Sequence, residues 1–82
     1  MRVKSLRDDL LKYIRKHGLT KKLSKQIGLF CLNPRHPSLH TELLEPRSLR
    51  IFSFRLDSKY RVVFIFSAAD EVEIVDINDH YA

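Results

Sequence analysis

The chain changes its hydrophobic period once, and that change limits what it can fold into. Up to Cys31 the apolar residues recur at helical spacing; from Leu49 onward they alternate as strands do. Between the two regimes, residues 33–46 hold all three prolines, with Leu39, Leu43 and Leu44 spaced to anchor an ordered connector to a core. With 82 residues there is room for one domain, 1–82, and one core. The expected class is α+β: two N-terminal helices packed on a twisted antiparallel sheet of three to four strands.

Ser5 followed by Asp8 forms a capping-box-like start, and Asp8 and Asp9 suit a first helical turn. Leu6, Leu10, Tyr13, Ile14 and His17 then share a stripe that Gly18 terminates. Thr20 is placed to cap a second helix with Leu23, Ile27, Phe30 and Cys31 inward. That helix must stop by Asn33, because Pro34 disfavours helical geometry in the residue before it. In the strand half, Phe52, Phe54 and Leu56 alternate against Ser53 and Arg55. Asp57-Ser58-Lys59 then predicts a turn into a strand over 60–67. Both faces of that strand are apolar at its middle, which marks it as central. A turn near Ala69 leads to a last strand over 72–77.

Charge is segregated along the chain. All fifteen Lys and Arg fall between Arg2 and Arg61 against five acids there, a balance of +10; from Val62 onward five acids stand with no base. Such asymmetry fits a positive face offered to a polyanion, and equally an ordinary solvated helix surface. Lys12, Arg15, Lys16, Lys22 and Lys25 on the helices, with Arg50 and Lys59, are the candidate RNA contacts.

Several classes are excluded by what the sequence lacks. Cys31 is the only cysteine, so there is no disulfide framework, and its place in a helical stripe reads as a buried thiol. No apolar run approaches a membrane span and Met1–Lys4 is not a signal peptide, so a cytoplasmic protein is expected. Gly18 and Gly28 are the only glycines, which leaves no phosphate loop and no cofactor signature. Pro37 lies between His36 and His40 and spoils a helical ligand spacing; a metal site with Cys31 and His80 is a minor alternative.

What remains is a strand-borne arginine pair and a His-Tyr ending. Arg55 and Arg61 fall on the two strands of one hairpin and on the same side of the sheet. Two guanidinium groups so close call for an anion, which a phosphate provides, or for a neighbouring acid such as Asp57, Asp76 or Asp79. A histidine side chain suits proton transfer near neutral pH, which makes His80 a candidate, and Tyr81 suits stacking on a base. A penultimate histidine is as readily a frayed surface residue.

Four segments in register, residues 33–39, 52–56, 60–64 and 77–81, resemble the RelE/ParE toxin superfamily of toxin–antitoxin systems over nearly the whole chain. The resemblance implies an mRNA endoribonuclease working at the ribosome without a metal. In that reaction a 2′-hydroxyl attacks the adjacent phosphate, leaving a cyclic phosphate and a free 5′-hydroxyl. It implies that Arg61 contacts the scissile phosphate, that His80 is the acid/base and that Tyr81 arranges substrate, as in the YoeB-like branch. Arg55 stands at a position where RelE has a lysine, and Ser53 at another where that charge is lost. A first strand before the first helix is expected but only Met1–Lys4 can form it. The glutamate base of the YoeB-like branch has no clear counterpart near Pro37-Ser38, where His36 or His40 would have to substitute. The partners implied are a cognate antitoxin, the ribosome and mRNA; the alternative within the superfamily is a ParE-like toxin that binds DNA gyrase and cuts nothing.

Overall fold

A computed structural model describes residues 1–79. Nine elements follow in order: strand β1 (Arg2–Val3), helices α1 (Asp8–Lys16) and α2 (Thr20–Leu32), a 3-10 turn (Pro37–Leu39), β2 (Glu42–Leu43), a second 3-10 turn (Arg47–Leu49), and strands β3 (Phe52–Arg55), β4 (Arg61–Ala68) and β5 (Glu71–Asn78). The strands form one sheet in the order β1-β5-β4-β3-β2. All neighbours are antiparallel except β1, which runs parallel to β5. The sheet is thus five-stranded and mixed rather than antiparallel with three to four strands. The additional strands are β1 and β2, each two residues long, too short to carry an alternating pattern. Short edges also limit pairing with other chains.

The helices cover one face of this sheet. Leu10, Ile14, Leu23 and Phe30 pack against Phe54, Val62, Phe64, Val72, Ile74 and Ile77, all buried. Phe30 supplies the centre: its ring stacks on Phe54 at 5.3 Å and meets Phe64 edge-on at 5.1 Å. Burying each such ring stabilises the fold by about 1.5–3 kcal/mol, which matters in a chain this small. Leu39 is fully buried, so the connector is anchored as its leucines predict, with Leu43 and Leu44 half-buried.

The helix starts differ from expectation. α1 begins at Asp8 with Arg7 as its cap residue, and no side chain caps it; Arg7 instead binds Asp9, Nε to Oδ1 at 3.1 Å. Thr20 is the first residue of α2 rather than its cap. Helix ends fall where the sequence puts them: Gly18 takes φ 65°, a left-handed conformation that costs glycine little, and α2 stops at Leu32 before Asn33 and Pro34. Cys31 is half-buried rather than buried, and Gln26 takes an inward position instead, donating to the Arg55 carbonyl at 2.7 Å.

The β3–β4 turn works without glycine. Asp57 Oδ1 accepts the backbone N–H groups of Lys59 and Tyr60, each at 2.8 Å, while its Oδ2 receives Lys22 Nζ at 2.7 Å. Burial opposes the charge on Asp57, but the Lys22 hydrogen bond and the two backbone donors outweigh it and hold the carboxyl at about 2. The side chain therefore supplies the closure that a glycine-containing turn would have supplied through its backbone.

Candidate functional site

Strand register decides which side chains can meet. Arg55 lies directly opposite Arg61, and Arg61 opposite Asn78, so these three form a row across β3, β4 and β5. The next row is Glu42, Ser53, Val63 and Asp76 across β2 to β5. Phe52, Phe54, Val62 and Phe64 alternate with these residues and face the helices. The polar rows therefore occupy the face of the sheet that α1 and α2 leave bare.

At the centre of the first row sits Arg61, 5% exposed. Its Nε and Nη2 donate to Ser53 Oγ at 3.1 and 2.7 Å, and Nη2 also donates to the His40 carbonyl at 3.2 Å. Glu42 lies close as well, its Oε1 3.5 Å from Nη2. Asn78, in the same row, donates to Asp76 Oδ2 at 2.7 Å. A serine at position 53 is what admits this arrangement: a lysine there would have set a second cation beside the guanidinium, whereas the hydroxyl accepts two of its N–H groups.

Among the described residues the acid paired with Arg61 is Glu42, from an edge strand too short to predict, while Asp57 pairs with Lys22 and Asp76 accepts from Asn78. The glutamate base that the resemblance calls for has no counterpart near Pro37-Ser38; Glu42 is the carboxylate found beside Arg61. Of the histidines considered as substitutes for that base, His36 is engaged through its ring and His40 through its main chain. His40 contributes its carbonyl to Arg61, and His36 Nδ1 accepts the Ser38 N–H at 3.2 Å. The clue in the sequence was a Glu-Leu-Leu run after Thr41, read only for its leucines.

The Arg61 guanidinium is nearly enclosed, but the Glu42 side chain beside it is 57% exposed. A pair with one solvated partner can exchange: a phosphate replaces the carboxylate on the guanidinium without leaving a buried charge alone. Arg55, half-buried at the same level, adds a second cation to the rim of this site. His80 and Tyr81 were assigned to the same centre and lie outside the described residues.

The candidate RNA contacts do not gather around Arg61. Lys12, Arg15 and Lys16 on α1 and Lys22 and Lys25 on α2 belong to the helical layer, across the sheet from the guanidinium. Lys22 is tied to Asp57. Arg50 lies 5.2 Å from the centre of the Phe52 ring and Lys59 lies 5.3 Å from that of Tyr60. His17 closes α1 and its Nδ1 is 3.2 Å from the Tyr60 hydroxyl, with Tyr13 packed 4.2 Å away, ring to ring. Among the described residues no group of three or more His, Cys, Asp or Glu is placed to hold a metal, and no helix is long and apolar enough to cross a membrane.

No family model matches the chain, and no curated protein sequence does. Solved structures do. A YoeB/ParE toxin from Agrobacterium tumefaciens is 17% identical, covers 99% of this chain and 100% of its own, and superposes with a TM-score of 0.73. The YoeB–YefM toxin–antitoxin heterotetramer from Staphylococcus aureus holds a chain 17% identical, covering 98% of this chain and 94% of its own, with a TM-score of 0.70. A copper-bound mutant toxin from Helicobacter pylori, 12% identical over 96% of this chain and 91% of its own, gives 0.67. The chain shares its fold with these YoeB- and ParE-type toxins.

Proposed function

We propose that the protein is the toxin of a toxin–antitoxin pair and acts as a metal-independent endoribonuclease on ribosome-bound mRNA. One observation carries the nuclease reading: the Glu42 carboxylate and the Arg61 guanidinium meet at 3.5 Å on the face of the sheet opposite the helices. A base and an anion-stabilising cation at one point are the minimum for moving a 2′-hydroxyl proton while charge builds on the adjacent phosphate. In this scheme Glu42 accepts the 2′-hydroxyl proton and the oxygen attacks phosphorus. Arg61, with Arg55 at the rim, binds the non-bridging oxygens as negative charge accumulates. His80 protonates the departing 5′-oxygen and Tyr81 positions the neighbouring base. The products are a 2′,3′-cyclic phosphate and a 5′-hydroxyl, so no water enters the step.

Lys12, Arg15, Lys16, Lys22, Lys25 and Lys59, spread over the far layer and the hairpin tip, serve docking on ribosomal RNA rather than on the cut strand. Contacts of that kind act through charge and weaken steeply with salt. Between folded toxin and cell stands a cognate antitoxin, and the toxin–antitoxin heterotetramer among the structural neighbours supports a partner of that kind.

A second reading is a ParE-like toxin that binds DNA gyrase. The enclosure of Arg61 by Ser53 and the His40 carbonyl favours it, since a purely structural arginine would be held in the same way. Induced cells separate the two. The nuclease reading requires mRNA cleavage and growth arrest that Arg61→Ala and His80→Gln each abolish. Cleaved DNA–gyrase complexes with intact mRNA would instead select the gyrase reading, and unimpeded growth of wild-type-expressing cells would dismiss both.

A further inference from the structure

Among the described residues the buried polar side chains are Gln26, Ser53, Arg61 and Asn78. The last three belong to the strands that build the site; Gln26 alone comes from a helix. It shares the inward stripe of α2 with Leu23 and Phe30, at a position that suits an apolar side chain. Burying an amide there costs about 1–3 kcal/mol unless it is hydrogen-bonded, so its partners explain why it is tolerated.

Gln26 Nε2 donates to the Arg55 carbonyl at 2.7 Å and to the Ser38 carbonyl at 3.5 Å. The Arg55 carbonyl lies past the end of β2, which accompanies β3 only at Phe52 and Ser53, so the amide takes the place of a neighbouring strand. Ser38 lies on the 3-10 turn of the connector, two residues before His40. Arg61 joins the same two segments, through Ser53 on β3 and the His40 carbonyl on the connector. From the helical side, then, Gln26 sets the gap that the guanidinium spans on the other. His40 sits at φ 47°, a conformation that a residue with a side chain keeps only where its surroundings impose it. Leu39, fully buried, supplies part of that constraint, and the Gln26 contact to Ser38 supplies more. The same segment leads directly into β2 and Glu42.

We infer that Gln26 is a positioning residue for Arg61: by tying the edge of β3 to the turn of residues 38–40, it fixes where the His40 carbonyl receives the guanidinium. It touches no substrate and acts only through the two segments that hold Arg61. The consequence for RNA cutting rests on the nuclease reading; the consequence for the Arg61 hydrogen bonds does not. Without the amide the turn relaxes away from β3, and the Arg61 Nη2 loses a fixed main-chain acceptor.

The test uses the full chain with Gln26→Met, which keeps the side-chain length and removes the donor. Gln26→Glu, which sets a carboxylate against the two carbonyls, guards against poor folding of the first variant. The guanidinium N–H signals of Arg61 are followed by NMR, and their exchange with water is compared with that of the buried Val62 and Phe64 amides. Either variant is expected to speed guanidinium exchange about tenfold while the Val62 and Phe64 amides keep their protection. On ribosomes stalled on a defined mRNA, kcat is expected to fall about tenfold with KM within about twofold of wild type. A glutamine that only stabilises the core would instead loosen Arg61 and the two core amides together. That outcome would overturn the proposal, as would unchanged guanidinium exchange in a folded variant, a raised KM at constant kcat, or failure of both variants to fold. Wild-type protein that leaves mRNA whole would discard the nuclease reading, and the exchange comparison would then decide the positioning claim by itself.

Discussion

Glu42 on β2 and Arg61 on β4 are separated by the full width of β3, yet their side chains meet above it at 3.5 Å. They meet there because Ser53, in between, is short enough to pass under the guanidinium and polar enough to bind it. One small residue thus converts two distant charges into a single centre.

Replacing the carboxylate by its amide removes a proton acceptor and leaves the shape intact. Glu42→Gln should lower the mRNA cutting rate by about 10²–10³-fold. Because the side chain is mostly solvated, thermal unfolding should change little. A variant that cuts at the wild-type rate would remove Glu42 from the reaction.

Ser53→Ala keeps the volume and removes the acceptor of two Arg61 N–H groups. In a fully buried position that loss should cost about 1–3 kcal/mol in urea denaturation. Cutting should fall as well, since the guanidinium loses the group that aims it. Unchanged stability would show that the hydroxyl does not hold Arg61.

Asp57 makes the hairpin dependent on pH in one direction. Its carboxyl sits at about 2 against an ordinary value of 3.8. The stabilisation is present in full above 3.8 and is lost as pH falls toward about 2. Asp57→Ala should therefore cost about 1–2 kcal/mol at pH 7, with the gap from wild type closing between pH 4 and pH 2. A gap that persists at pH 2 would mean the turn is held by something else.

Phe30 touches both sheet strands that carry the site. Phe30→Ala removes its stacking on Phe54 and its edge-on contact with Phe64 and should cost about 3–5 kcal/mol, enough to unfold much of an 82-residue protein. Circular dichroism melting of the variant checks this, and a transition within a few degrees of wild type would contradict the packing account.

The period of the sequence reported the helices and the three long strands because each runs far enough to repeat its pattern. β1 and β2 were hidden for the opposite reason: two residues hold no period, and their place in the sheet is fixed by pairing with β5 and β3. Arg55 facing Arg61 was legible, since a three-residue turn sets the register of the hairpin. What serves Arg61 was not. Sequence proximity favoured Asp57 and the acids of β5, whereas the fold brings in Glu42 through an edge strand and His40 through a left-handed backbone turn at φ 47°. The lysines are as exposed as expected, and the helices that carry them lie on the other side of the sheet from Arg61.

The claim at the centre is that residue 61 acts on an RNA phosphate. Purified protein added to ribosomes stalled on a defined mRNA, with the fragments' ends analysed chemically, tests it most directly. The account predicts fragments with 5′-hydroxyl and 2′,3′-cyclic phosphate ends for wild type, and a loss of about 10²-fold or more for Arg61→Ala. Intact mRNA with wild-type protein, or equal cutting by the alanine variant, would contradict it.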